Sequence, residues 1–140
     1  MPLPHIRVLI VDDDSVCSEY LRGILERKFN EIAIYDISVH RSAEDVLSEF
    51  KEGVRYDIIF TDIEMGSISG DAMAEEIHNK YGSDVCIVAV TSTYNISNSD
   101  QYKKAGISAC LNKPPNCDLL RVILKDTIAE MEEHVNTVIL

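Results

Sequence analysis

The stretch from Asp57 to Met65, D-I-I-F-T-D-I-E-M, constrains this chain more than any other. Ile58, Ile59 and Phe60 are β-branched or aromatic and show no polar alternation. That is the pattern of a short strand buried on both faces, as in a parallel sheet covered by helices. The run stops at Asp62, a carboxylate that a core does not hold unpaired, so Asp62 is expected to surface where the strand ends. In open sheets of this kind the ligand crevice lies outside the carboxyl ends of the strands. Other strands should therefore deliver chemical partners to Asp62.

The same logic repeats along the chain. Arg7 to Val11 is a second apolar run, and it stops at Asp12, Asp13 and Asp14. Ser15 to Phe29 then carries Val16, Tyr20, Leu21, Ile24, Leu25 and Phe29 at helical spacing, with Asp14 or Ser15 placed to cap the first turn. One cap needs one residue, whereas three adjacent carboxylates repel, and a bound cation would relieve them. Ile32 to Val39 reads as a strand, followed by a helix from Ser42 to Phe50 with Ala43, Val46, Leu47 and Phe50 inward and Gly53 closing it. After Asp62 come a loop with two glycines, I-E-M-G-S-I-S-G, and a helix from Asp71 to Lys80. Val85 to Val90 is a fourth strand running into Thr91, Ser92 and Thr93. Tyr94 to Asp100 is polar loop, and a short, weakly apolar helix reaches Ala105. Ser108 to Leu111 is the fifth strand, Lys113-Pro114-Pro115 follows, and a long helix spans Asp118 to His134. Leu119, Leu120, Val122, Ile123, Ile128 and Met131 lie on or near one face of that helix. Five strand and helix patterns in alternation predict an α/β fold: a five-stranded parallel sheet, doubly wound and right-handed, in three layers. One domain is expected over 1–140, with its core at about 6–130.

At 140 residues and 46% hydrophobic composition the chain can bury a single substantial core. Its formal charge of -11 argues against direct nucleic-acid or membrane binding and suits basic partner surfaces or a site that needs cations. Cys17, Cys86, Cys110 and Cys117 show no zinc-site spacing and read as buried reduced thiols, which predicts a cytoplasmic or nuclear protein. No apolar run approaches the roughly 18 residues needed to span a bilayer, and Met1 to His5 lacks a signal-peptide core. His5, His40, His78 and His134 are isolated and read as surface or packing residues.

Four strand ends thus collect polar groups on one sheet edge: Asp12 and Asp13, Asp62, Thr91, and Lys113. Clustered carboxylates are hard oxygen ligands suited to Mg2+, which keeps room for water and phosphate oxygens. A hydroxyl and an ammonium complete a phosphate cradle. In such a setting a carboxylate such as Asp62 can serve as a nucleophile toward phosphorus, because phosphoryl transfer depends mainly on positioning and charge stabilisation.

The strings V-L-I-V-D-D-D, D-I-I-F-T-D-I-E-M, V-A-V-T-S and L-N-K-P, in this order and spacing, resemble the receiver domain of two-component response regulators, the CheY-like superfamily with its flavodoxin-like (βα)5 fold. The resemblance implies that Asp62 is the phosphoacceptor and Mg2+ the cofactor. It implies that Asp13 ligates the metal directly, Asp12 holds its water shell, and the backbone carbonyl of Glu64 adds a ligand. Thr91 and Lys113 would contact the phosphoryl group. The implied activity is self-phosphotransfer and autodephosphorylation at Asp62 rather than conventional enzyme turnover. Implied partners are a histidine kinase or histidine phosphotransfer protein and a downstream effector protein or domain. Three positions depart from the family pattern. Met65 is followed by Gly66-Ser67-Ile68-Ser69-Gly70 where M-P-x-M-x-G is usual, Ser92 stands where Ala is common, and Cys110 stands where an aromatic commonly swings inward. The switch is therefore expected to fall to the Thr91 to Asp100 loop and the short helix after it. Two other readings stay open: a degenerate receiver acting as a phosphorylation-independent interaction module, and a dehalogenase-like phosphohydrolase using Asp12 and Asp14 as a D-x-D pair.

Overall fold

The computed structural model describes residues 2–92 and 98–138, apart from the side chains of 134–138. Among these residues five strands alternate with five helices. They are β1 (His5–Val11), α1 (Ser15–Lys28), β2 (Ile34–His40), α2 (Ala43–Lys51), β3 (Ile58–Thr61), α3 (Gly70–Tyr81), β4 (Cys86–Thr91), α4 (Ser99–Lys104), β5 (Ile107–Asn112) and α5 (Cys117–Val138). All strand pairs are parallel, and the sheet order is β2-β1-β3-β4-β5. The doubly wound architecture read from the sequence is the one observed.

β3 sits at the centre, and none of its residues is more than 1% exposed. Because successive side chains of a strand point to opposite faces, its run feeds two cores at once. Ile58 and Phe60 join Leu21, Ile24 and Leu25 of α1 and Leu120 and Leu124 of α5. Ile59 joins Val46 and Phe50 of α2, Met73 and Ile77 of α3, and Tyr102 of α4. Truncating Phe60 to Ala would cost about 3 to 5 kcal/mol, since a large ring would leave a cavity between packed layers.

Asp14 is the N-cap of α1 and accepts from the Val16 N–H at 2.9 Å. Gly53, at φ 97°, takes the left-handed turn after α2 that a side chain would resist. Element ends fall within four residues of expectation, the largest difference being at the end of α5, which runs on to Val138. Several inward assignments are corrected. Val16 and Tyr20 are 75% and 51% exposed, and Leu119 and Val122 are each 53% exposed. The stripes that pack are Ser18, Leu21, Ile24 and Leu25 on α1, and Leu120, Leu124 and Thr127 on α5. All four cysteines are partly exposed rather than buried. Of the loop expected over Tyr94 to Asp100, residues 94–97 lie outside the described residues, whereas Ser99 and Asp100 belong to the first turn of α4 rather than to a loop.

Candidate functional site

The sheet ladder itself brings the carboxylates together. The Asp62 N–H donates to the Val11 carbonyl at 2.8 Å, and the Asp12 N–H donates to the His40 carbonyl at 3.1 Å. Each bond continues the parallel pairing one residue past the strand end, so Asp12 and Asp62 emerge side by side. Neither surfaces as freely as the sequence suggested: Asp12 is 5% and Asp62 9% exposed. Oxygens of Asp12, Asp13 and Asp62 lie within 4.8 Å of one another.

Lys113, just after β5, reaches into this group. Its Nζ lies 2.8 Å from Asp12 Oδ2 and 3.4 Å from Asp62 Oδ2. The following Lys113-Pro114 peptide is cis. Asp62 Oδ1 accepts from the Ile63 N–H at 2.8 Å, and Asp12 Oδ1 accepts from the Asp14 N–H at 2.9 Å. Thr91, 2% exposed, is the last residue of β4 and reaches the same edge. Glu64 follows two residues after Asp62, with an exposed side chain, in the loop before Gly66.

Burial raises the pKa of Asp62 and nearby Asp12 adds to this, outweighing the lowering by Lys113 and by the Ile63 N–H. For Lys113, burial alone would lower the pKa, but the hydrogen bond to Asp12 and the charges of Asp12 and Asp62 raise it overall. The lysine is thus held as a cation, while Asp62 remains undercompensated. A further cation among these carboxylates would be favoured electrostatically, and three hard carboxylate oxygens fit Mg2+ better than soft metals.

Two features escaped the sequence reading. A groove of about 310 Å³ runs from Asp62 and Lys113 along α1, walled by Val16, Cys17, Tyr20 and Pro115. Its signal was available, because Val16 and Tyr20 lie four residues apart on the helix face opposite Ser18 and Leu25. Arg41, after β2, donates to the Asp13 carbonyl at 3.1 Å and anchors the acidic loop; nothing in the residues around it announces that reach. Asp14 turns away from the cluster to cap α1 and accept from the Cys17 thiol at 3.5 Å. The D-x-D pair of the phosphohydrolase reading is thereby divided.

A doubly wound sheet with an acidic pit and a half-buried lysine at its strand ends defines a class of phosphate-handling α/β domains. Residues 8–125 match the response regulator receiver domain family, and the chain belongs to it. It is similar to the aerobic respiration control sensor protein ArcB of Escherichia coli (strain K12), 28% identical over 141 residues that cover 98% of this chain. The match spans only 17% of ArcB's own length. A CheY-like receiver from Methanospirillum hungatei JF-1 superposes with a TM-score of 0.76 at 26% identity, covering 94% of this chain and 99% of that one. The Saccharomyces cerevisiae complex of the histidine phosphotransfer signaling protein Ypd1 with the receiver domain of Ssk1 matches with a TM-score of 0.68 at 24% identity, covering 86% and 87%. No described helix is long and apolar enough to cross a membrane.

Proposed function

We propose that this receiver domain accepts a phosphoryl group from a phosphohistidine onto Asp62 and thereby alters its binding to a downstream effector. The observation that carries the reading is the convergence of Asp12, Asp13 and Asp62 within 4.8 Å beside the half-buried Lys113. One Asp62 oxygen attacks phosphorus, the P–N bond breaks, and the electron pair leaves with the imidazole, giving an acyl phosphate. Lys113 neutralises the developing charge, and Thr91 offers a hydroxyl to a phosphoryl oxygen. Asp12, Asp13, Asp62 and the Glu64 carbonyl would hold Mg2+, which supplies charge neutralisation to the transferring group.

Val16, Tyr20 and Pro115 form an apolar wall beside Asp62. Such a wall suits the face of a histidine kinase or phosphotransfer protein that presents its phosphohistidine to the pit. Phosphorylation adds about -1.5 to -2 charge, and the Thr91 to Asp100 loop with α4 is the segment proposed to respond. The negative charge of the chain favours protein partners over nucleic acid, and a cytoplasmic or nuclear setting agrees with the free thiols.

The test is intact-mass measurement after incubation with phosphoramidate and Mg2+. A phosphoryl adduct is expected on the wild type, and it should be lost in Asp62→Asn and on chelation. Unchanged modification in either condition would remove Asp62 or the metal from the reading.

A further inference from the structure

We infer that Thr61 is a positioning residue for Asp62, its hydroxyl fixing the peptide plane that aims the carboxylate; the inference rests on the reading of Asp62 as phosphoacceptor. Thr61 ends β3 at 0% exposure, on the face where Ile59 and Ile63 belong to the apolar layer beneath α2 and α3. A hydroxyl placed there needs a partner, and Thr61 Oγ1 donates to the Asp62 carbonyl at 2.8 Å. That carbonyl and the Ile63 N–H belong to one planar peptide unit. The Ile63 N–H in turn donates to Asp62 Oδ1 at 2.8 Å. The hydroxyl therefore grips one end of a rigid plate whose other end grips the carboxylate.

The first residue of α3 closes over this arrangement. A Cβ at Gly70 would fall 2.0 Å from the Asp62 carbonyl oxygen and 3.0 Å from Thr61 Oγ1. With the Gly70 backbone so close, little room remains for a water to replace the hydroxyl. The Gly70 N–H also donates to the Ile63 carbonyl at 2.8 Å, tying the next peptide to the same helix end. Without the hydroxyl the Asp62–Ile63 plane could rotate, and the N–H that holds Oδ1 would turn with it. Small misplacement of a reacting group is enough to slow a reaction markedly.

The experiment compares wild type, Thr61→Val and Thr61→Ser. It measures phosphorylation by phosphoramidate with Mg2+, hydrogen exchange at the Ile63 amide by NMR, and global stability by urea unfolding. Valine keeps the volume and loses the hydroxyl, whereas serine keeps the hydroxyl. Thr61→Val should be phosphorylated about tenfold more slowly, with Ile63 exchange accelerated beyond any change in global stability. Thr61→Ser should stay within about twofold of wild type in both readouts. Phosphorylation of Thr61→Val at the wild-type rate, or of Thr61→Ser as slowly as the valine variant, overturns the inference. If wild type itself is not modified at Asp62, the reading of Asp62 as phosphoacceptor fails. The Ile63 amide then decides the role of Thr61: accelerated exchange in the valine variant alone supports it, and equal exchange in all three overturns it.

Discussion

The two edges of the sheet both gather charged residues, with opposite results. At the amino ends of the strands, Asp57 is fully engaged by Arg7, which donates its backbone N–H at 2.8 Å, Nε at 3.3 Å and Nη2 at 3.0 Å. Arg55 lies over the rings of Phe50 and Tyr81, 5.0 and 4.8 Å from their centroids, and donates to two carbonyls at 2.8 Å. At the carboxyl ends, three carboxylates converge, Lys113 pairs with two of them, Asp12 and Asp62, and Asp62 stays undercompensated. The cavity at the amino edge, about 480 Å³ among Asp57, Asp84, Cys86 and Glu130, is larger than the groove beside Asp62. Close convergence of carboxylates beside one lysine, rather than cavity size, distinguishes the candidate site.

That contrast is open to a direct test with metal. Asp13→Asn should weaken Mg2+ binding by on the order of tenfold or more, because it removes the exposed member of the carboxylate group. Asp84→Asn, at the cavity of the amino edge, should leave affinity unchanged. Isothermal titration of both variants decides the matter, and equal losses would break the distinction between the edges.

A second comparison separates two exposed apolar positions. Tyr20, 51% exposed, borders the groove beside Asp62, whereas Leu119, 53% exposed, stands outside it on α5. Tyr20→Ala should slow transfer from a histidine-phosphorylated partner by about tenfold, the scale of a moderate interface hot spot. Its phosphorylation by phosphoramidate should be unchanged, and Leu119→Ala should alter neither rate. A matching slowdown with the small donor would show that Tyr20 shapes the pit rather than the docking face.

The fold was legible because each buried strand is a continuous apolar run that stops on a polar residue. Asp12 and Asp62 were legible for the same reason, since a charge at the end of such a run has one direction in which to go, whereas Lys113 follows a strand interrupted by Ser108 and Asn112 and was legible from its place in L-N-K-P. Thr61 was passed over because a threonine closing I-I-F-T is compatible with strand propensity alone, and its partner is the carbonyl of the next residue. The outward Val16, Tyr20, Leu119 and Val122 were misassigned because apolar residues surround much of each helix, and counting hydrophobes does not reveal which arc meets the sheet. The family pattern placed Cys110 at a switch position without an aromatic. In the structure Cys110 packs beside a cluster that contains Tyr102 of α4, only 5% exposed, so an aromatic reaches this layer from the neighbouring helix. That proximity depends on tertiary packing and has no local signature.

The smallest expected effect is on stability, and it carries opposite signs at the two edges. The folded protein holds the Asp62 proton more tightly than an unfolded chain with the ordinary value of 3.8, through burial first and then the charge of Asp12, against the opposing pull of Lys113. A carboxyl whose folded pKa is raised contributes stability below its unfolded pKa, and that contribution is lost as pH rises through the folded value. Ionised Asp62 therefore weakens the metal-free fold at neutral pH. Asp62→Asn should raise stability at pH 7 by about 1 kcal/mol, with the advantage shrinking as pH falls toward 3.8. Mg2+ should narrow it at neutral pH, because the cation stabilises the wild type selectively. Asp57→Asn should instead lower stability by about 0.5 to 1 kcal/mol, a modest figure because Arg7 is largely solvated. Urea unfolding of both variants between pH 3 and 7, with and without Mg2+, measures the two signs. A destabilised Asp62→Asn at pH 7 without metal would mean that Lys113 already balances the pit, and the electrostatic distinction between the two edges would fall with it.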